Sequence, residues 1–366
     1  MRLLAFVKTT EKILMSFMEK MLKRWEKVSI NQRSLDIVKE MIKNSDRLNV
    51  AVEELKNGTT VLDCGVNVSG GYKAGELTTK IAFGGFGEAQ VTAVTYDDLT
   101  LPVLVHYTDF PPFIALSMYV WVGVIPPPHV GTKKFTAWIS GPAKAIAQEP
   151  AKIFEKWPYK DPHPDAAVLL VQTRSRTDGL PDEEFSGIIS KKCKIDPKNL
   201  YLVVIPTDSI TGTAQTSSRG VEDMFWRLTE YYKIPYRRIE NVMGTTPISP
   251  VSPKALQEPC SWPDDMIRYG GTVHCWVRSE EGEDFGRMVK ESVIENYPNT
   301  FGTSFYHMAV EEKKYIDPTM DLHKLAKEGL GFIIGEFAIS DTRTGRMFKA
   351  GKVHKDIIGR LVSKPW

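Results

Sequence analysis

The chain predicts a layered α/β fold, and three observations support it. Between residues 166 and 232 an apolar run, a helical pattern, a second apolar run and a second helical pattern follow one another, the β-α-β-α order of a sheet with helices packed on it. Further strand patterns flank that core, bounded by Gly, Pro and Asn turns. The 366 residues are 42% hydrophobic and 25% charged, which provides a large core and a solvated surface. A formal net charge of +2 gives no basic excess that would point to nucleic acid. No apolar run approaches the roughly 18 residues of a membrane-spanning helix. Cys64, Cys193, Cys260 and Cys275 are too scattered for a zinc site or a disulfide framework, so a cytoplasmic protein without a metal or an integral membrane segment is expected.

Taken in order, Leu3, Phe6, Thr10, Ile13, Phe17, Met21 and Trp25 recur every three to four residues among Lys8, Lys12, Lys20, Lys23 and Lys27. This predicts an amphipathic basic helix over 1–28. Three readings stand open: packing on the body or on another subunit, lying on a membrane surface, or a native start at Met15, Met18 or Met21. A helix follows from Ser29 or Asn31, either of which can cap it, to about Leu48. Residues 50–55 and 59–64 pair about Asn57-Gly58 as a hairpin. Glycines at 70–71 and 84–85 bracket a helix to about Phe83, as ligand contacts or as turn chemistry; the spacing matches neither a P-loop nor a dinucleotide fingerprint.

Strands are expected at 89–96 and 101–108, then an apolar helix over 113–122. A strand at 135–139 runs into Ser140-Gly141-Pro142-Ala143-Lys144, a second possible anion-binding turn with Pro at the first helical position. A polar, proline-rich linker at 158–164 divides a first lobe, 29–165, from a second, 166–366. Next come a strand at 166–171, a helix at 182–193, a strand at 201–205 and a helix at 218–232. After a strand at 239–243, residues 244–253 read as a long irregular stretch. The remainder is a strand at 272–277 bearing His274 as a packed residue, helices at 284–295 and 303–313, a hairpin of 332–339 with 346–350, and a last helix at 356–362.

There is no G-x-S-x-G elbow, no H-E-x-x-H and no Cys/His ligand cluster. What remains is Arg219 and Glu222, three residues apart at a strand-loop-helix switch. Such a pair most often forms a solvated surface bridge. Yet an Arg in a first helical turn opposes the helix dipole and Gly220 weakens the helix, so local stability does not explain the choice. The other reading is a carboxylate base held by a guanidinium where open α/β sheets bind ligands.

Ordered motifs extend the second reading: Asn57-Gly58-Thr59-Thr60-Val61-Leu62-Asp63-Cys64-Gly65-Val66, Gly70-Gly71-Tyr72-Lys73-Ala74-Gly75, Ser140-Gly141-Pro142-Ala143, Pro247-Ile248-Ser249-Pro250, Tyr269-Gly270-Gly271 and Tyr315-Ile316-Asp317-Pro318. Through them the chain from Ser29 to about Ile358 resembles the methenyltetrahydromethanopterin cyclohydrolase family of one-carbon metabolism. The resemblance implies an α/β (α+β layered) fold with two lobes and a cleft, a homotrimer, and no cofactor, tetrahydromethanopterin being the carrier within the substrate. It implies reversible hydrolysis of 5,10-methenyltetrahydromethanopterin to the 5-formyl compound, with Glu222 and Arg219 catalytic. By the same resemblance Asp109, Ser140, Gly141, Thr207, Ser209, Pro247, Gly270 and Gly271 contact the pterin substrate, and Arg174, Arg176 and Arg268 could meet an anionic tail. Three positions depart from the family pattern, one of them Gly220, where a bulkier residue is expected after the Arg. Phe110 stands where a His is expected and Val120 where a Lys is, unless Lys133 or Lys134 reaches the same space; a non-catalytic or altered-substrate pterin-binding relative is the alternative.

Overall fold

The computed structural model describes residues 27–121, 130–131, 135–173, 175–251, 261–308 and 321–363. The helix expected over 1–28, apart from its last two residues, lies outside them, as do residues 309–313 of that expected at 303–313, Lys133, Lys134 and Arg174. No described helix is long and apolar enough to cross a membrane.

Two six-stranded sheets organise the chain, and the fold is α/β. The first takes β1 (Ala51–Glu54), β2 (Thr60–Asp63), β5 (Val130–Gly131), β6 (Thr136–Ser140), β7 (Ala167–Thr173) and β8 (Leu200–Pro206) in the order β1-β2-β8-β7-β6-β5. The second takes β3 (Gly87–Tyr96), β4 (Leu99–Thr108), β9 (Ile239–Pro247), β10 (Thr272–Val277), β11 (Glu336–Asp341) and β12 (Met347–Gly351) in the order β12-β11-β10-β9-β4-β3. Each stretch expected as a lobe contributes strands to both sheets. In the first sheet β2, β8 and β7 run parallel. Their apolar residues, such as Val168, Leu169, Leu170 and Val203, are buried on both faces, as a parallel sheet covered by helices requires.

The helices that matter for the site are α1 (Ile30–Lys43), α2 (Tyr72–Ala82), α3 (Glu183–Cys193), α4 (Ile210–Thr216), α5 (Arg219–Trp226), α6 (Trp262–Gly270) and α7 (Lys355–Ser363). Ser29 caps α1 by accepting from Gln32 N at 2.8 Å and donates to Asp161 Oδ1 at 2.5 Å. Asn31 then bonds Asp161 Oδ2 through its backbone N at 3.0 Å and Pro142 O through Nδ2 at 2.8 Å. The expected linker at 158–164 is therefore anchored to the start of α1 by a buried carboxylate, and Asn31 ties that start to the turn after β6.

Three expected elements differ. Residues 244–247 are strand, not irregular: β9 continues to Pro247, pairing with Val103, and Thr246 pairs with Leu104. Gly244 and Pro247 disguise it, both being poor strand formers. Gly244 is required there, because a Cβ would stand 2.7 Å from His106 Nε2 and from Val221 Cγ1. The apolar helix expected at 113–122 is a single π-helical turn, Ile114–Met118, closed by Tyr119 N reaching Ile114 O at 3.1 Å. Trp121 N then bonds Ile139 O at 2.8 Å, so the chain joins β6 instead of coiling further. The helix expected at 284–295 spans Phe285–Lys290, capped by Asp284.

Helices α2 and α4 touch through Gly75, where a Cβ would lie 2.6 Å from Ala214 Cβ. Gly187, in α3, has no atom within 4 Å of the same position. Gly75→Ala should therefore force the helices apart at a cost of about 1–3 kcal/mol, whereas Gly187→Ala should stabilise by about 0.5–1 kcal/mol. Urea or thermal unfolding of the two variants checks this, with opposite signs expected.

Candidate active site

Beyond β8 the chain turns at Thr207, and Ser209 caps α4, accepting from Gly212 N at 2.9 Å while donating to Pro206 O at 2.8 Å. At the far end of α4 two hydroxyls intervene. Ser217 Oγ bonds Thr213 O at 3.0 Å and Pro247 O at 3.2 Å, and Ser218 Oγ bonds Gln215 O at 2.7 Å. Side chains that compete for backbone carbonyls end one helix and start another, so Arg219 is the first residue of α5.

The Arg219 guanidinium is held on four acceptors. Nη1 donates to Met118 O at 2.6 Å and to Glu222 Oε2 at 2.7 Å; Nη2 donates to Gln172 Oε1 at 3.3 Å and to Ser140 Oγ at 3.4 Å. Gln172 is oriented in turn by Thr216 Oγ1 at 3.1 Å and Thr207 Oγ1 at 3.4 Å. Both members of the ion pair are only 13% exposed, which rules out the solvated surface bridge. Among the described residues Glu222 Oε1 accepts no hydrogen bond, so one carboxylate oxygen is fixed and the other is open.

The surroundings are charged. Burial pushes the Asp223 carboxyl well above its usual range, with the charges of Glu222 and Asp264 adding to the effect. Burial likewise raises Asp264 to about 6, against the pull of Arg268. Lys144 is fully buried, and burial lowers its ammonium to about 7 although Glu222 favours the charged form. A surface hollow of about 620 Å³ beside Tyr297 and Leu330 contains none of these residues.

Of the residues expected at the substrate, Ser140 and Thr207 join this cluster. Gly141 supports it with φ +108°, its N donating to Ser117 O at 2.7 Å. Ser209 is a buried helix cap. Pro247 lies beneath the start of α5, and Gly270 packs on it, since a Cβ there would meet Pro247 Cγ at 2.8 Å. A Cβ on Gly271 would meet Ile267 O at 2.6 Å, and its own carbonyl accepts from Glu336 N at 3.0 Å. Asp109 is exposed past the opposite end of β4 from the Pro247 pairing, bonded to Asn241. Arg176 is bound to Asp208 through its backbone N and Nη2, both at 2.8 Å, and Arg268 is buried on Leu330 O at 3.2 Å. Gln172, Thr216, the Met118 carbonyl and Lys144 were not singled out as site residues from the sequence. Gln172 carried a signal, since it lies at the carboxyl end of a parallel strand, where ligand sites gather. The others depend on long-range packing.

A family model described as Cyclohydrolase (MCH) matches residues 29–361. Methenyltetrahydromethanopterin cyclohydrolase of Methanothermobacter marburgensis is 34% identical over 339 residues, covering 90% of this chain and 98% of the relative. The cyclohydrolases of Methanocaldococcus jannaschii and Methanococcus vannielii are 32% and 34% identical over 335 residues, each covering 90% of this chain and 97% of theirs. With the family model spanning both sheets and relatives matched nearly end to end, the chain belongs to the methenyltetrahydromethanopterin cyclohydrolase family.

Proposed function

We propose that the chain catalyses the reversible hydrolysis of 5,10-methenyltetrahydromethanopterin to 5-formyltetrahydromethanopterin, with Glu222 as the base. The observation that carries this reading is the largely buried Arg219–Glu222 pair, in which the Arg is held by acceptors from three segments besides Glu222 and the Glu keeps one oxygen free. The names of the relatives support the substrate. The methenyl carbon sits between two nitrogens in a cationic amidinium and is already electrophilic, so what it needs is a positioned water that loses its proton on attack. Glu222 Oε1 takes that proton while Oε2 stays on Arg219. The same proton then goes to one ring nitrogen as its C–N bond breaks. The hydroxyl proton leaves as the formyl carbonyl forms, so one proton is released as the cation becomes a neutral amide.

Arg219 orients the carboxylate through Nη1. Ser140, Gly141 and Thr207 lie close enough to bound a substrate at the same place, and the remaining expected contacts, Asp109, Ser209, Pro247, Gly270 and Gly271, act from further out or through packing. In this reading the pterin is a substrate and not a resident cofactor, and the chain works as a cytoplasmic homotrimer, as the resemblance implies.

Loss of the methenyl chromophore on hydration provides the assay. Glu222→Gln should lower kcat by about 100- to 10,000-fold with little change in KM; full turnover in that variant would remove Glu222 from the role. Hydration of methenyltetrahydrofolate but not of the methanopterin compound would overturn the substrate. Gln172→Leu, which deletes one Arg219 acceptor, should cost about fivefold to tenfold in kcat/KM, measured by the same decay.

A further inference from the structure

The turn after β6 and the π-helical segment 114–119 are stitched together around a single peptide group. Gly141 N holds Ser117 O at 2.7 Å. Lys144 Nζ holds Tyr119 O, and also Ala115 O at 3.3 Å. Between the carbonyls of Ser117 and Tyr119 lies that of Met118, which accepts from Arg219 Nη1 at 2.6 Å. Lys144 is completely buried, and its hydrogen bonds among the described residues both end on this one segment. A π-helical turn leaves carbonyls that no backbone N–H reaches, and a buried ammonium satisfies two of them here.

We propose that Lys144 is a positioning residue for the reaction: its ammonium fixes the 114–119 backbone so that Met118 O aligns Arg219, which in turn orients Glu222. This rests on the cyclohydrolase reading given above. The charged groups that bear on Lys144 are Glu222, which favours the ammonium, and Arg219, which opposes it, both from α5. From the 114–119 segment comes the Tyr119 phenol, bonded to Thr229. From α3 come Cys193, bonded to Ala143 O, and Lys192, paired with Glu149. A lysine in this place, lowered to about 7 by burial, loses its charge near neutrality, whereas an arginine does not. The protonated form is the competent one, so activity falls as pH rises through about 7.

Wild type, Lys144→Arg and Lys144→Met are compared for methenyl-pterin hydration between about pH 5.5 and 9. Lys144→Met should lose at least about tenfold in kcat with KM nearly unchanged, and Lys144→Arg should recover most of it. The decline above neutrality should be present in wild type and absent in the Arg variant. A pH profile unaltered by Lys144→Arg, or Lys144→Met with wild-type kcat, would overturn the proposal. So would equal losses of rate and of melting temperature in both variants, which would mark a side chain that only fills space. If Lys144→Met fails to fold, the pH comparison of wild type with Lys144→Arg decides. A crystal structure of Lys144→Met separates this proposal from the assignment of activity: Arg219 is expected to have left Met118 O, and an unmoved Arg219 refutes the positioning role even if no turnover is found in any protein.

Discussion

A guanidinium that is largely withdrawn from water must find acceptors for its donors, and at Arg219 those acceptors come from β6, β7, the π-helical turn and α5 itself. The planar fork of an arginine imposes direction as well as charge, so each acceptor has to arrive at a set angle. This requirement links parts of the chain as far apart as Met118 and Arg219, 101 residues, and it joins the first sheet to a helix packed on the second. The helix cap at Ser209, the hydroxyl break at Ser217 and Ser218, and the close fit of Gly244 under Val221 all serve to bring α5 to that point.

The charge arrangement follows from the same constraint. Glu222 shares the guanidinium, while burial pushes Asp223 and Asp264 towards neutrality, with nearby carboxylates adding to the effect on Asp223 and Arg268 opposing it on Asp264. Of these three carboxyls Glu222 is the one paired with the arginine.

Legibility in the sequence followed the range of the interactions. The hairpin at Asn57-Gly58, the cap at Ser29, the helix at Glu183–Cys193 and the parallel core strands are set by local spacing and alternation, and each appears close to where the pattern places it. The end of β9 did not, because its Gly and Pro are chosen for what packs against them. The segment after Phe113 is apolar enough for a longer helix and is drawn instead into pairing with Ile139. At the site, Arg219 and Glu222 were visible by their spacing and their awkward helix start, but not their burial. Lys144 stood in a recognisable turn without any local hint that its ammonium would reach Tyr119. The expected gap at Val120 looks different in space, because the buried cation holds the carbonyl immediately before it.

The Asp161 anchor has a consequence for the order in which the molecule can be made. During synthesis α1 emerges early, yet the carboxylate that satisfies Ser29 and Asn31 is encoded 132 and 130 residues later. Asn31 also waits 111 residues for Pro142 O, which belongs to the same turn as Lys144. Until then the helix start has its local Ser29 cap but lacks the partners that Ser29 and Asn31 find on the later segments. The first helix of the body and the turn beside the catalytic pair are thus completed together, well after the ribosome has passed both.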